Sequence, residues 1–234
     1  MSTARSLARI GTIANFIGVV LLIAATLLHP LDSDPADAPA AFAEYAADPH
    51  YVWTHLGQFA GFSGLSIGLV AFAGTFETGR AAAWAQIGAA GAVASIAVAA
   101  ALQAVDGVAL KAMVDRWATA TPEARLLAFE AALAVRWIEI GLAGFLCVLS
   151  GLSVLAFGMA ILSGARYPAW LGMVGVLDGL GMVAAGAGQA SMGFSGLAMT
   201  LSMASSSAFL LRAVLVGVLM WRWASLPPSA ERQG

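Results

Sequence analysis

The strongest constraint on the fold is that most of the chain consists of apolar runs of about twenty residues or more. The first run, IGTIANFIGVVLLIAATLL at positions 10–28, contains no charged residue. As an α-helix, a run of this length crosses the ~30 Å hydrocarbon core of a bilayer. Five further runs follow, at approximately 51–76, 81–105, 132–162, 167–188 and 197–223. The sequence therefore predicts a single all-α membrane domain over residues 1–234, built as a six-helix bundle.

The composition supports the same class of protein. Of 234 residues, 60% are hydrophobic and 10% are charged, against roughly 25% charged in soluble domains. So few charges cannot cover a surface in water, and membrane lipids are the expected partners. The net charge of -2 argues against nucleic acid, which requires a basic surface. The single cysteine, Cys147, cannot form an intramolecular disulfide, and its apolar surroundings favour a buried, unreactive thiol.

An alternative interpretation of the first run is a signal peptide, because the basic segment MSTARSLAR precedes it. The run is longer than the apolar region of a typical signal peptide. The nearest small-residue cleavage site, at 36–38, is followed directly by Pro39. We therefore interpret residues 10–28 as a retained first span.

Residues 101–140 predict a helical hairpin between spans three and four. Asp106 ends the third apolar run, and Leu110, Val114 and Trp117 then follow at helical spacing. Thr121-Pro122 is a typical helix start. The helix from position 122 could extend to about 162, a length of ~60 Å. It would then have to kink or project beyond the bilayer core.

The basic residues predict the orientation of the bundle. With six spans and the N-terminus in the cytoplasm, the cytoplasmic side receives Arg5, Arg9, Arg80, Arg166, Arg222 and Arg232. The opposite side receives Lys111, Arg116 and Arg125 together with most of the acids. This excess agrees with the positive-inside rule. The sequence predicts a bacterial inner-membrane protein with both termini in the cytoplasm and an extracytoplasmic hairpin. We expect the loop 31–50 to be extracytoplasmic too and to contain a short surface helix in PAAFAEYAA.

Ionisable and amide side chains near the extracytoplasmic ends of the spans form the first candidate site. Its members are His55, Gln58, Gln103, Asp106, Arg136 and Glu139. They come in pairs three residues apart, so each pair lies on one helix face. The functional interpretation is a polar pocket for an anionic or polar head group. The structural interpretation, which is favoured, is a set of interhelical hydrogen bonds and ion pairs, because buried polar groups need partners in either case.

The geometry of this first site follows from the connections between the spans. We expect Asp106, Arg136 and Glu139 to converge with His55 beneath the hairpin at 107–121. Spans two, three and four should then be mutual neighbours.

Asp178 and Arg212 form a second set. Counted from the cytoplasmic ends of spans five and six, both lie ~13–17 Å deep. An isolated charge at that depth is very unfavourable, so we expect the two to form a buried structural pair. A proton or ion relay is the alternative. In the same span, Gly175-x-x-x-Gly179 predicts a face of close helix contact.

The histidines give no recognisable metal or haem motif. His29, His50 and His55 all fall on the extracytoplasmic side, near Asp106 and Glu139. They lack H-x-x-x-H or another paired-ligand spacing, and no C-x-x-C-H is present. Nucleotide-binding loops and nucleophile elbows are absent too. We predict no metal site and no cofactor.

Three short segments carry a family resemblance. At AVDGVALK (104–111), RWIEIG (136–141) and YPAWLG (167–172), the chain resembles a group of bacterial, largely actinobacterial, membrane proteins that share a domain of unknown function. The resemblance covers most of the chain. It implies a multi-span helical membrane protein and supplies no activity or catalytic residue.

Three functions remain open from the sequence. The first is binding or movement of a lipidic or small polar molecule. The second is a membrane enzyme using Asp106 and Glu139 for acid–base chemistry on a lipid or isoprenoid, since apolar surroundings can separate the pKa values of two carboxyls. The third is a structural assembly subunit, for example in a homo-oligomer packed through glycine-rich faces. A cavity reaching the first site would favour the first two, and a filled interior the third.

Overall fold

The structure is a computed structural model that describes residues 3–226, and every regular element in this range is helical. The elements are α1 (Thr3–Leu28), α2 (Ala38–Ala47), α3 (Tyr51–Ala73), α4 (Gly79–Gln103), a π-helical segment (Ala104–Leu110), α5 (Lys111–Ala118), α6 (Pro122–Leu162), α7 (Ala169–Met192) and α8 (Gly196–Ser225). Because α4, the π-helical segment and α5 form one continuous helix, the described residues contain six helices long and apolar enough to cross a membrane. The predicted all-α six-helix bundle is confirmed.

The six spans form a closed ring in chain order. Each packs on the next, α1 on α3, α3 on α4, α4 on α6, α6 on α7 and α7 on α8, and α8 returns to α1. Consecutive spans are antiparallel, since their contacts pair the start of one span with the end of the next, as Gly11 with Ala71 for α1 and α3 and Gly88 with Phe157 for α4 and α6. The centre of the ring is filled by fully buried side chains, among them Phe72, Phe157, Leu171 and Met220. The interior is therefore a packed core.

Spans two, three and four were expected to be mutual neighbours, and of the three pairs spans two and four are the most widely separated. Helix α4 packs on both α3 and α6, whereas α3 and α6 lie farther apart. These two helices meet through large side chains, such as Phe72 and Phe157, whose ring centroids are 5.4 Å apart. The reason is that α4 lies between α3 and α6 in the ring.

A helical cap covers the end of the ring where α1 ends and α3 begins, which we call the cap end. Helix α2 starts at Asp37, whose carboxylate accepts a hydrogen bond from Ala40 N (3.2 Å). Phe42 of α2 packs against Val114 and Trp117 of α5 in a second apolar core. Although α2 was expected to be a surface helix, Phe42 is fully buried, so α2 forms one wall of this core.

The hairpin between spans three and four is present, but it is not a separate pair of helices. The third span continues through the π-helical segment into α5, and α6 runs for 41 residues without interruption. At about 1.5 Å per residue, α6 is ~60 Å long. Its first turns therefore project into the cap, as the sequence indicated.

Glycines allow the closest helix contacts in the ring. A Cβ atom added at Gly179 of α7 would lie 2.7 Å from Gly151 O of α6, and one added at Gly175 would lie 3.2 Å from Gly158 Cα. Such distances leave no room for a side chain. The small-residue face of α7 thus packs directly on the backbone of α6.

Candidate functional site

Three side chains with metal-binding donor atoms meet at the cap end. His29 follows α1 directly, His55 lies in the second turn of α3, and Asp106 lies in the π-helical segment. One donor atom from each lies within 4.8 Å of the other two. His55 Nε2 is 2.9 Å from Asp106 Oδ2, and the rings of His29 and His55 are 5.1 Å apart. We call these three residues the His–His–Asp cluster.

Helix packing brings the cluster together. Helices α1 and α3 touch backbone to backbone, and a Cβ atom added at Gly18 would lie 2.6 Å from Gly61 O. The end of α1 therefore lies beside the start of α3. On the other side, Gly107 of the π-helical segment packs on His55, where an added Cβ would lie 2.4 Å from His55 Cβ. The absence of a side chain at Gly107 lets Asp106 approach the histidine.

Each member of the cluster is held by a second group. His55 Nδ1 lies 2.7 Å from Tyr51 O, and His29 Nδ1 lies 2.8 Å from Pro30 O. Because a carbonyl oxygen only accepts, both Nδ1 atoms carry a hydrogen, and in the neutral form of either ring Nε2 would carry the lone pair. Asp106 Oδ1 accepts a hydrogen bond from the Tyr51 hydroxyl at 2.6 Å. All three residues are therefore oriented from outside the cluster.

The contact between His55 and Asp106 is close but is not a well-formed hydrogen bond. His55 Nε2 lies 2.9 Å from the carboxylate yet outside hydrogen-bonding geometry. The pKa of His29 is lowered, chiefly by burial and further by His55, against the opposing effect of Asp106. The ring of His29 is thus neutral at neutral pH, the form in which imidazole binds metals.

Arg136 forms the second half of the site. Its Nη2 donates to Pro35 O (2.8 Å), and its Nη1 donates to the Tyr45 hydroxyl (3.2 Å). Glu139 Oε2 is 3.8 Å from Nη1, an ion pair without a hydrogen bond. The guanidinium also lies over the ring of Phe194, 4.7 Å from its centroid. Burial raises the pKa of Tyr45 despite the nearby Arg136, so its phenol stays protonated.

A cavity of about 210 Å³ opens beside Arg136. It lies between α6, the α7–α8 link and the loop before α2. Its lining residues are Pro35, Ala36, Ala38, Leu133, Arg136, Trp137, Ile140, Met192, Gly193, Phe194 and Ser195. The walls are mostly apolar, and Arg136 is the only charged residue among them. We call this space the Arg136 cavity.

The structure brings four of the six residues of the first predicted set into two contacting pairs. His55 meets Asp106, and Arg136 meets Glu139. The two pairs are joined through Tyr45 and Tyr51, whose ring centroids are 5.0 Å apart.

Gln58 and Gln103 remain outside this network. Both are half-buried and make no hydrogen bond with another described residue, and the buried Gln103 Oε1 has no partner. The network therefore contains only four of the six predicted side chains.

Two residues of the site, Tyr45 and Tyr51, were not singled out from the sequence. His29 was placed at this end of the bundle near Asp106, but it was set aside as a metal ligand because it lacks a paired-ligand spacing. One feature of the sequence could have placed His29 in the site. If the first two spans pack antiparallel, the end of α1 lies beside the start of α3, which brings positions 29 and 51 together.

The predicted partners Asp178 and Arg212 are in contact, away from the cap. Arg212 Nε donates to Asp178 Oδ2 at 3.3 Å inside the ring, and the guanidinium lies over the ring of Phe209, 5.6 Å from its centroid. Among the described residues, Nη1 and Nη2 of Arg212 and Oδ1 of Asp178 have no hydrogen-bond partner. This is a buried pair with incomplete hydrogen bonding.

No protein family, curated protein or solved structure matches this chain at a significant level. The chemistry of the site itself must therefore carry any functional conclusion.

Proposed function

We propose that this protein binds the anionic head group of a membrane lipid, or of a lipid-like molecule, in the Arg136 cavity. One observation carries the proposal. A buried arginine lines a cavity at the cap end of a ring whose centre is filled. A filled centre supports binding at the cap end over passage through the ring.

Arg136 has hydrogen-bonding capacity to spare. A guanidinium has five N–H donors, and two of its nitrogens each donate to one described residue, Tyr45 and Pro35. Glu139 lies too far away, at 3.8 Å, to take another hydrogen bond. The remaining donors suit the oxygens of a phosphate or carboxylate, which arginine binds in a planar, bidentate manner.

The size and the walls of the Arg136 cavity indicate which part of a lipid it takes. Its volume of about 210 Å³ is below the ~300–1,000 Å³ typical of pockets that enclose whole small molecules. A head group fits this space, while acyl chains would stay in the bilayer. Trp137 lines the cavity and is largely exposed on the outside of α6, where a tryptophan suits the membrane interface.

We do not extend the proposal to acid–base catalysis by Asp106 and Glu139. Asp106 is held by His55 and Tyr51, whereas Glu139 is held by Arg136. Because the two carboxylates have different partners, they are better explained as members of two separate sites than as one catalytic pair.

We also propose that the cap end is extracytoplasmic in a bacterial inner membrane, with both termini in the cytoplasm. The end opposite the cap carries five arginines, namely Arg5 and Arg9 of α1, Arg80 of α4, Arg166 of the α6–α7 link and Arg222 of α8. This excess of basic residues supports the orientation through the positive-inside rule. The head group bound at Arg136 would then belong to the outer leaflet.

Binding of phosphatidylglycerol and phosphatidylcholine to the purified full chain, followed by native mass spectrometry, tests the head-group proposal. The wild-type chain should retain phosphatidylglycerol preferentially. Arg136→Gln should weaken this binding about 10–100-fold, the effect of losing charge-assisted hydrogen bonds of ~1.5–3 kcal/mol. Ala36→Phe, which fills the mouth of the cavity and keeps Arg136, should weaken it as well.

Arg125→Gln is the matched control, because Arg125 is an exposed arginine at the same end that does not line the cavity. It should bind like the wild type. Inorganic phosphate added as a competitor separates a lipid site from a general phosphate site. Equal retention of both lipids, or equal binding by the Arg136 and Arg125 variants, would contradict the proposal.

A further inference from the structure

We propose that His29, His55 and Asp106 bind a divalent first-row transition-metal ion, with zinc as the simplest candidate. This inference goes beyond head-group binding, because it concerns a different set of side chains and does not depend on Arg136.

The donor set identifies the class of ion. Two imidazoles with one carboxylate are typical ligands of zinc and of non-haem iron, whereas magnesium and calcium prefer oxygen ligands alone. The three ligands come from the end of α1, from α3 and from the π-helical segment. Three protein ligands leave at least one position of a tetrahedral ion open for water or another small ligand.

The distances fit such an ion after a small adjustment. At metal–ligand distances of about 2.0–2.1 Å, tetrahedral donors lie roughly 3.3 Å apart. His55 Nε2 and Asp106 Oδ2 are 2.9 Å apart, and the three donor atoms all lie within 4.8 Å of one another. Bringing the most distant donor atoms from 4.8 Å to that separation takes a movement of at most about 1.5 Å, and the half-buried His29 ring at the end of α1 is the side chain placed to make it.

The outer contacts are those that metal ligands require. Metal-binding histidines almost always donate the other ring N–H to a carbonyl or carboxylate, and the ligating carboxylate is itself hydrogen-bonded. Here Tyr51 O and Pro30 O accept from the two Nδ1 atoms, and the Tyr51 hydroxyl holds Asp106. These contacts hold the three side chains so that one donor atom of each lies within 4.8 Å of the other two.

A purely structural ion pair between His55 and Asp106 explains less of the geometry of the cluster than a bound ion does. It leaves unexplained why a ring nitrogen of His29 also lies within 4.8 Å of donor atoms of both His55 and Asp106. It also leaves the 2.9 Å contact of His55 Nε2 with Asp106 Oδ2 outside hydrogen-bonding geometry. A cation between the donors accounts for both features.

The backbone at Asp106 points the same way. Asp106 lies in a π-helical segment, a rare backbone form that is frequent at functional sites.

Metal titration of the purified full chain, produced without a polyhistidine tag and stripped with a chelator, tests the site. The wild type should bind one zinc ion per chain by elemental analysis and should give a visible ligand-field absorption with cobalt. His29→Ala, His55→Ala and Asp106→Asn should each lower zinc affinity more than about 100-fold, since loss of an outer-contact residue alone costs about 10–100-fold. Tyr51→Phe should fall within that smaller range.

His50→Ala is the matched control, because His50 is an exposed histidine at the same end that lies outside the cluster. It should bind zinc like the wild type. His29 is half-buried at a helix end, so its variant should keep the fold, which gel filtration checks. Less than one zinc per chain in the wild type, or unchanged affinity in folded His29→Ala, would refute the inference.

The two proposals fail independently. Arg136→Gln should still bind zinc, and His29→Ala should still prefer phosphatidylglycerol.

Discussion

At the residue scale, the buried charges of the spans differ in how completely they are satisfied. Arg136 has two hydrogen-bond acceptors and an aromatic ring around it. Arg212 has one long hydrogen bond to Asp178, and two of its nitrogens have no partner among the described residues. The Asp178–Arg212 pair is therefore the more sensitive of the two to loss of a partner.

Replacing Asp178 by asparagine should destabilise the protein by about 3–5 kcal/mol, because it leaves Arg212 as an unpaired buried charge. Asp178→Asn combined with Arg212→Met should recover much of that loss. The free energy of unfolding in mixed micelles measures both effects. Asp115→Asn is the control, since Asp115 is half-exposed in its pair with Lys111 and should cost less than about 1 kcal/mol. Equal loss in the single and double variants would mean that the two residues are not energetic partners.

Glu44 should give the loop before α2 an acid-sensitive anchor. Burial opposes its ionisation, but hydrogen bonds from Asp32 N (3.0 Å) and Ser33 N (2.8 Å) outweigh this effect and lower the pKa of Glu44. A lowered pKa in the folded state means that the stabilisation is present above the unfolded pKa of about 4.3 and is lost as the pH falls through the folded value. A carbon-detected NMR titration of labelled glutamate should therefore show Glu44 titrating below the ordinary range, and an ordinary midpoint would count against the anchor.

At the element scale, close contact between helices depends on individual glycines. Gly179 packs against the backbone of α6, whereas a Cβ atom added at Gly141 of α6 would meet nothing within 4 Å. Gly179→Ala should destabilise the fold by about 1–3 kcal/mol through overpacking. Gly141→Ala should be neutral or slightly stabilising, because alanine is the better helix former. Thermal unfolding in detergent compares the two, and equal melting temperatures would contradict this account of the α6–α7 contact.

Elements of this fold were predictable where the signal is local. The apolar runs mark all six spans, and Asp37 with Pro39 marks the start of α2. The pairing of Asp178 with Arg212 followed from counting depth along two spans. The π-helical segment was not predictable, because nothing in AVDGVAL distinguishes it from α-helix. For the same reason the cluster was missed, since His29 joins it through the packing of α1 on α3 and not through local spacing.

At the scale of the whole molecule, cysteine labelling can test which end of the ring faces the cytoplasm. Single cysteines introduced as Ser33→Cys and Ser229→Cys in a Cys147→Ala background report the two sides. Ser33 lies in the loop before α2, and Ser229 lies beyond the described residues. An impermeant thiol reagent on intact cells should label the variant at 33 and leave the variant at 229 unlabelled. The reverse pattern would invert the proposed orientation.

The closed ring also sets the order in which the molecule can be assembled during synthesis. Five of its six interfaces join spans that follow one another along the chain, so each can form soon after the later span enters the bilayer. The sixth, between α8 and α1, must also wait for α8, whose Ala213 O accepts from Asn15 Nδ2 there (2.9 Å), while Arg212 of α8 pairs with Asp178 across the contact with α7. Until α8 leaves the ribosome, two polar side chains in earlier spans lack their partners. The six-helix ring can therefore close only after α8 has been translated and inserted.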